Sequence, residues 1–183
     1  QYGLSDREII AQAVMMLVAG QVTTSDQMCN ILFRLLQEPA VQDHVVRDRE
    51  LVPSMVEELA RLDPAVTFIF RVAGSATRIG DYALAKGDVV FISTHAINRD
   101  PATYDAPHCA DLQRAHRAHF AYGFGAHHCL GAGLARVEMN TLFDHLLSRY
   151  RVQLDQSAPA VRNHYSLSFS GFSSLPIVLE ALN

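Results

Sequence analysis

Apolar positions run almost without a break from Ile9 to Gly20 and continue at helical spacing to Leu36, where Glu38-Pro39 interrupts them. Ahead of that run, Ser5-Asp6-Arg7-Glu8 has the form of a capping box. In this motif the serine side chain caps the first turn while the glutamate reaches back to the serine backbone. The pattern predicts one helix from Ser5 to Leu36, roughly 45–50 Å long at about 1.5 Å per residue. Its first half is apolar on nearly every face, which predicts a helix running through the interior. A second helix is expected over Val41–Asp48. A third is expected from Pro53 to Leu62, closed by Asp63-Pro64 because proline disfavours helix at the residue before it.

The period then changes. Val66 to Val72 and Val89 to Ser93 are rich in β-branched and aromatic residues, and the turn signals Ile79-Gly80-Asp81 and Lys86-Gly87-Asp88 lie between them. Little periodicity survives from Asn98 to Ala118, which predicts a long irregular segment of the kind that usually has a function. A last helix is expected from Gly131 to Tyr150, with Leu134, Val137, Leu142, Phe143, Leu146 and Leu147 on its apolar side. The tail from Val161 to Leu182 reads as short strands. The expected fold class is mainly α with small β-sheets (α+β).

Composition narrows the function classes. Hydrophobic residues make up 49% of the 183 positions and charged residues 19%, so the chain is globular and not disordered. The net charge is −4 and no basic run occurs, which leaves nucleic-acid binding without electrostatic support. The Ile9–Gly20 stretch is interrupted by Gln12 and is too short to span a bilayer. Three irregularly spaced cysteines, Cys29, Cys109 and Cys129, do not form a disulfide framework and favour a reducing cytoplasm. The chain opens on Gln1 and enters a long helix within a few residues, as a segment of something longer would.

The strongest chemical signal is the stretch from His119 to Gly131, HFAYGFGAHHCLG. Its glycines permit tight turns and close backbone approach to a flat ligand. Amides in such a loop, and at the start of the next helix, can point at the Cys129 sulfur and stabilise a thiolate. Three alternatives stand at this point. Cys129 is a small buried core residue, or the thiolate ligand of a heme iron, or part of a zinc or nucleophilic site with His116, His119, His127 and His128, although their spacing does not match a paired ligand pattern.

This stretch resembles the heme-binding signature of the cytochrome P450 family, Phe-Gly-x-Gly-x-His-x-Cys-x-Gly, with Tyr122 in place of the phenylalanine. Three further features follow that family's order. Glu58-Leu59-Ala60-Arg61 resembles the Glu-x-x-Arg of helix K, and the i, i+3 spacing puts both side chains on one helical face. Asn98-Arg99-Asp100-Pro101, followed by Asp111-Leu112-Gln113-Arg114, resembles the meander. Ala19-Gly20-Gln21-Val22-Thr23-Thr24 resembles the oxygen-binding stretch of helix I.

The resemblance implies the C-terminal part of a P450 fold, from helix I onward, in a soluble bacterial-type enzyme. It also implies that an N-terminal part of the same domain, carrying helices A to H, is absent. Cys129 is the implied iron ligand of heme b, with Arg71 and His127 holding the propionates, Phe124 packing against the proximal face of the ring, and Gly125 and Gly131 as further cofactor-binding residues. Glu58, Arg61 and Arg114 are the implied buried structural network. On the other face of the heme, Gly20, Thr23 and Thr24 are the implied oxygen-binding and proton-delivering residues. The implied substrate pocket comprises Met15, Val18 and Ala19, then Val66, Thr67, Phe68 and Ile69, with Phe169 to Phe172 from a C-terminal turn; it is mostly hydrophobic.

The implied activity is monooxygenation with O2 and electrons from a ferredoxin or flavodoxin. One position departs from the pattern: the residue before Thr23 is normally acidic and here is Val22, which cannot carry a proton. That departure motivates a second function, heme-thiolate chemistry of a non-standard kind such as peroxide-driven oxidation, coupling or rearrangement, with Gln21 available to hold a water. A non-catalytic heme-binding fragment is the third.

Overall fold

The structure, a computed structural model, describes residues 3–114, 118–163 and 166–182. Gln1 and His116 lie outside the described residues. Helix α1 spans Asp6–Gln37, and the expected capping box at Ser5 is present, with the Ser5 amide donating to Glu8 Oε2 at 2.8 Å. Pro39 both ends the chain's first helical run and opens the next, because proline is tolerated at the first turn where its missing N–H is not needed. Helix α2 accordingly starts two residues earlier than expected, at Pro39–Arg47. Helix α3 covers Val52–Leu62. Strands β1 (Phe68–Val72), β2 (Thr77–Ile79), β3 (Tyr82–Leu84) and β4 (Val89–Ser93) follow, then a short helix α4 at Thr94–Ile97. Helix α5 spans Ala132–Leu147, and strands β5 (Tyr150–Leu154), β6 (Val161–Arg162), β7 (Phe172–Ser174) and β8 (Ile177–Ala181) complete the order.

The strands form four antiparallel pairs, β1–β4, β2–β3, β5–β8 and β6–β7. The mixed helical and small-sheet class is as expected. The last helix is shorter than expected, because Tyr150 begins β5, paired with Ala181 of β8.

The core is built where α1, α3 and α5 meet. Ile31 and Leu35 of α1 pack with Met55, Val56, Leu59 and Leu62 of α3 and with Met139, Phe143 and Leu147 of α5. Two expectations about burial are corrected here. The first half of α1 does not run through the interior of this chain: Ile10, Met16 and Leu17 are 63%, 62% and 68% exposed, and its buried residues begin at Gln27. Among the described residues, positions 6–22 are all exposed, so this all-round apolar surface is left uncovered. On α5, Leu134, Val137 and Leu142 are exposed, and the buried stripe is Ala132, Met139, Phe143 and Leu147. The helix is apolar on more than one side, and the face turned to α3 was chosen by packing.

Candidate functional site

Helix α3 is the hub that positions the site. Glu58 and Arg61, one turn apart, form a two-pronged pair, with Arg61 Nε on Glu58 Oε2 at 2.8 Å and Nη2 on Oε1 at 2.7 Å. Arg114 Nε joins the same carboxylate at 3.0 Å. The expected three-residue network therefore forms, and it is buried: Arg61 is 1% exposed. Two charges taken out of water require further partners, and Arg61 finds them in the irregular segment, donating to the carbonyls of Asn98 (2.7 Å) and Pro107 (2.9 Å). Asn98 returns a bond to the Arg61 carbonyl through Nδ2 and accepts the Phe120 amide on Oδ1 at 2.7 Å. The long loop that begins at Asn98 is thus pinned to α3, and Asn98 itself also holds the start of the cysteine loop.

A second network on the neighbouring carboxylate, Glu57, escaped sequence reasoning. Arg136 of α5 grips Glu57 with Nε at 2.8 Å and Nη2 at 3.0 Å, and His119 Nε2 lies 3.2 Å from the same carboxylate. Burial pushes the Glu57 carboxyl up, but hydrogen bonds and charge from His119 and Arg136 outweigh it and hold the group down at about 2. The guanidinium of Arg136 also lies over the ring of Tyr122, 4.3 Å from its centroid. The available signal was only Glu57 beside Glu58, which spacing alone cannot separate from a solvated acidic pair.

Between these anchors the chain makes two 3-10 turns, Phe120–Tyr122 and Gly125–His127. Gly123 and Gly125 take φ of +71° and +74°, where a side chain is disfavoured, and this lets the backbone reverse twice. The Cys129 amide donates to the Tyr122 carbonyl at 2.9 Å and the His128 amide to Gly125 at 3.0 Å. Of the amides expected to aim at the sulfur, these two are committed to carbonyls. The Cys129 side chain is exposed, so the core-cysteine alternative is overturned. Gly131 caps α5 beside it; a Cβ there would lie 4.0 Å from Sγ and would begin to cover the sulfur. Phe124 and Leu130, in the same loop as Cys129, are 74% and 92% exposed. Exposed apolar side chains and an exposed thiol in one loop suit a flat apolar ligand better than bulk water.

The remaining sequence-predicted residues fall into two groups. Val66–Ile69 and the C-terminal turn come together: Val66 bridges Phe169, and the Thr67 amide donates to Ser168 at 2.9 Å. Phe172 turns toward α1 and its ring sits 4.7 Å from that of Phe33. Met15, Val18, Ala19 and Gly20 lie on the exposed half of α1, while Thr23 and Thr24 are half-buried where the helix enters the core. The Thr23 hydroxyl donates to the Ala19 carbonyl at 2.6 Å and keeps its lone pairs free to accept. Arg71 and His127 are exposed, and Arg71 Nη1 donates to the Phe70 carbonyl at 2.8 Å.

A family model for cytochrome P450 matches residues 1–175. The chain belongs to the cytochrome P450 family. Among curated P450 relatives it is 33% identical to cytochrome P450 107B1 of Saccharopolyspora erythraea over 176 residues, covering 95% of this chain and 44% of that protein. It is also 33% identical to the mycinamicin IV hydroxylase/epoxidase of Micromonospora griseorubida, over 97% of this chain and 46% of the relative. Among solved structures, CYP109E1 from Bacillus megaterium in complex with corticosterone superposes with a TM-score of 0.89 at 27% identity, over 95% of this chain and 47% of that one. The chain spans less than half the length of these P450 relatives. Among the described residues, no helix is long and apolar enough to cross a membrane.

Proposed function

We propose that this chain is the C-terminal, heme-binding part of a P450 monooxygenase that oxidises a small, mostly hydrophobic organic substrate. The observation that carries it is the exposed Cys129 thiol at the head of α5, in a doubly reversed glycine loop tied through Asn98 and Glu57 to α3. Cys129 would ligate the iron of heme b. Arg71 and His127, both exposed cations or potential cations, would take the propionates through charge-assisted hydrogen bonds. Phe124 would cover the ring on the cysteine side. When bound, the heme supplies O–O cleavage, which a thiolate ligand favours by pushing electron density toward the metal.

The protein's own residues do the rest. Gly20 would leave room for oxygen and substrate, and the Thr23 hydroxyl, its own O–H on the Ala19 carbonyl, would accept a hydrogen bond from a water and hold it at the site. Met15, Val18, Ala19 and the Val66–Ile69 strip exclude water and orient an apolar substrate. The corticosterone bound to CYP109E1 is a ligand of that chemical kind. The N-terminal part of the domain would close the pocket over α1, and a ferredoxin or flavodoxin would deliver electrons. The three free cysteines suit a cytoplasmic setting.

The test is the spectrum of the reduced, carbon monoxide-bound protein, reconstituted with heme and the complete domain. A red-shifted thiolate Soret band is expected, and Cys129→Ser should abolish it; a band that survives that substitution overturns the ligand assignment. Val22 supports a second reading, peroxide-driven chemistry, because an apolar side chain replaces the acid before Thr23. Turnover with hydrogen peroxide that exceeds turnover with NAD(P)H and surrogate redox partners would favour it.

A further inference from the structure

Two buried amides on α1 have no part in the chemistry above. Gln27 is 6% exposed and uses both ends of its side chain on the segment after α3. Its Nε2 donates to the Asp63 carbonyl at 3.0 Å, and its Oε1 accepts the Ala65 amide at 2.8 Å. Asn30 is fully buried and donates to the Ser170 carbonyl at 2.8 Å. The Ser170 amide in turn donates to Ala65 at 2.8 Å. Beyond that bond the two segments continue as one strip through the Val66–Phe169 bridge and the Thr67 amide on Ser168. Thr67 Oγ1 adds a bond to the Leu167 carbonyl at 2.5 Å.

Both amides share a stripe with Thr23. Four and seven residues further along a helix turning about 100° per residue, Gln27 and Asn30 return to within about 40° of its direction. The strip lining one side of the predicted pocket therefore hangs from the same helix stripe that carries the threonine. We propose that Gln27 and Asn30 are positioning residues that set the distance between the Val66–Ile69/Leu167–Phe169 strip and helix α1, and so determine which substrate sizes are accepted. This rests on the P450 reading above, but the strap itself is a property of the chain. A merely space-filling glutamine would not satisfy two backbone groups of one segment. Once the side-chain amide is lost, the half-buried Asp63 carbonyl and the buried Ala65 N–H are without that partner and must move to find water.

The experiment compares wild type, Gln27→Met, which keeps length and bulk without the amide, and Asn30→Ser, which is too short to reach Ser170. In the heme-loaded protein, imidazole and 4-phenylimidazole are titrated by their optical shifts. Imidazole affinity should stay within about twofold, while that for 4-phenylimidazole, which needs the pocket wall, should fall roughly tenfold. Hydrogen exchange on the same variants should speed up at residues 65–69 and 167–170 and stay unchanged in α5. Equal effects on both azoles, or unchanged exchange in the strip, overturn the proposal. A wild type without the thiolate carbon monoxide band would sink the P450 reading instead, and the exchange arm alone would then decide the strap.

Discussion

Glu57 holds two partners on one carboxylate, and the consequence is a measurable pH dependence. Its folded-state pKa, about 2, lies below the ordinary 4.5. The stability it contributes is therefore fully present above about pH 5 and lost as pH falls through about 2. Glu57→Gln should lower stability at neutral pH by about 2 kcal/mol, a figure discounted because the carboxylate keeps some water contact. The variant's unfolding midpoint should then change less between pH 5 and 2 than that of wild type. Denaturant titrations across that range check both statements; parallel curves would show that Glu57 is not the group. Tyr122 makes the opposite case. Its hydroxyl is buried without a hydrogen-bond partner among the described residues, and burial pushes it up to about 12. Tyr122→Phe should raise stability by about 1 kcal/mol, because an unsatisfied buried hydroxyl is removed and the ring under Arg136 is kept. Thermal melts decide this, and a lowered midpoint would mean that the hydroxyl has a partner. Glu58–Arg61 was legible in the sequence because one helix turn fixes its spacing. Glu57–Arg136 was not, since its partners are 79 residues apart.

Helix α1 is two structures in one element. From Gln27 onward it is held by the core and by side-chain bonds to Asp63, Ala65 and Ser170. Ahead of that, among the described residues, it is held by its own backbone, the capping box and the within-helix bonds of Thr23 to Ala19 and Ser25 to Gln21. Ser5→Ala should cost about 1 kcal/mol, felt as faster amide exchange over residues 6–22 with residues 27–37 unaffected. Uniform acceleration along the whole helix would mean that it opens as one unit. The hydrophobic pattern correctly marked where this helix starts and stops, because caps and prolines act locally. It could not say what the apolar surface meets. The same limit explains α5, where Leu134 and Val137 were expected inward and Met139 took the core. In the α3–loop joint, Arg61→Ala leaves Glu58 buried beside a single cation. That should cost about 3–5 kcal/mol and free the Asn98–Arg114 segment to proteolysis; a variant as protease-resistant as wild type would show the network to be dispensable.

The chain as a whole has a core under α1, α3 and α5 and a broad apolar surface beyond it. Val14, Leu17 and Val18 lie 54%, 68% and 60% exposed, on a scale that marks an interaction surface more often than a solvated one. The isolated chain should therefore self-associate and bind hydrophobic dyes. The double substitution Val14→Lys and Leu17→Lys should suppress both while changing stability by no more than about 0.5 kcal/mol. Sedimentation of the two proteins at matched concentration is the check, and equal association would place the sticky surface elsewhere.

Local rules in the sequence were enough for the capping box, the proline-bounded helices, the β1–β4 strand runs, the reversing glycines around Cys129 and the one-turn Glu58–Arg61 pair. Each depends on residues within a few positions of one another, where backbone sterics and helical spacing leave few outcomes. Tertiary structure alone decided that Cys129 is exposed, that Glu57 and not only Glu58 anchors the cysteine loop, and that half of α1 faces outward. It also decided that Gln27 and Asn30 tie the pocket strip to the helix. The ties among them join residues 36 to 140 positions apart in sequence, and which distant surface meets which is settled by packing, to which a one-dimensional pattern is blind.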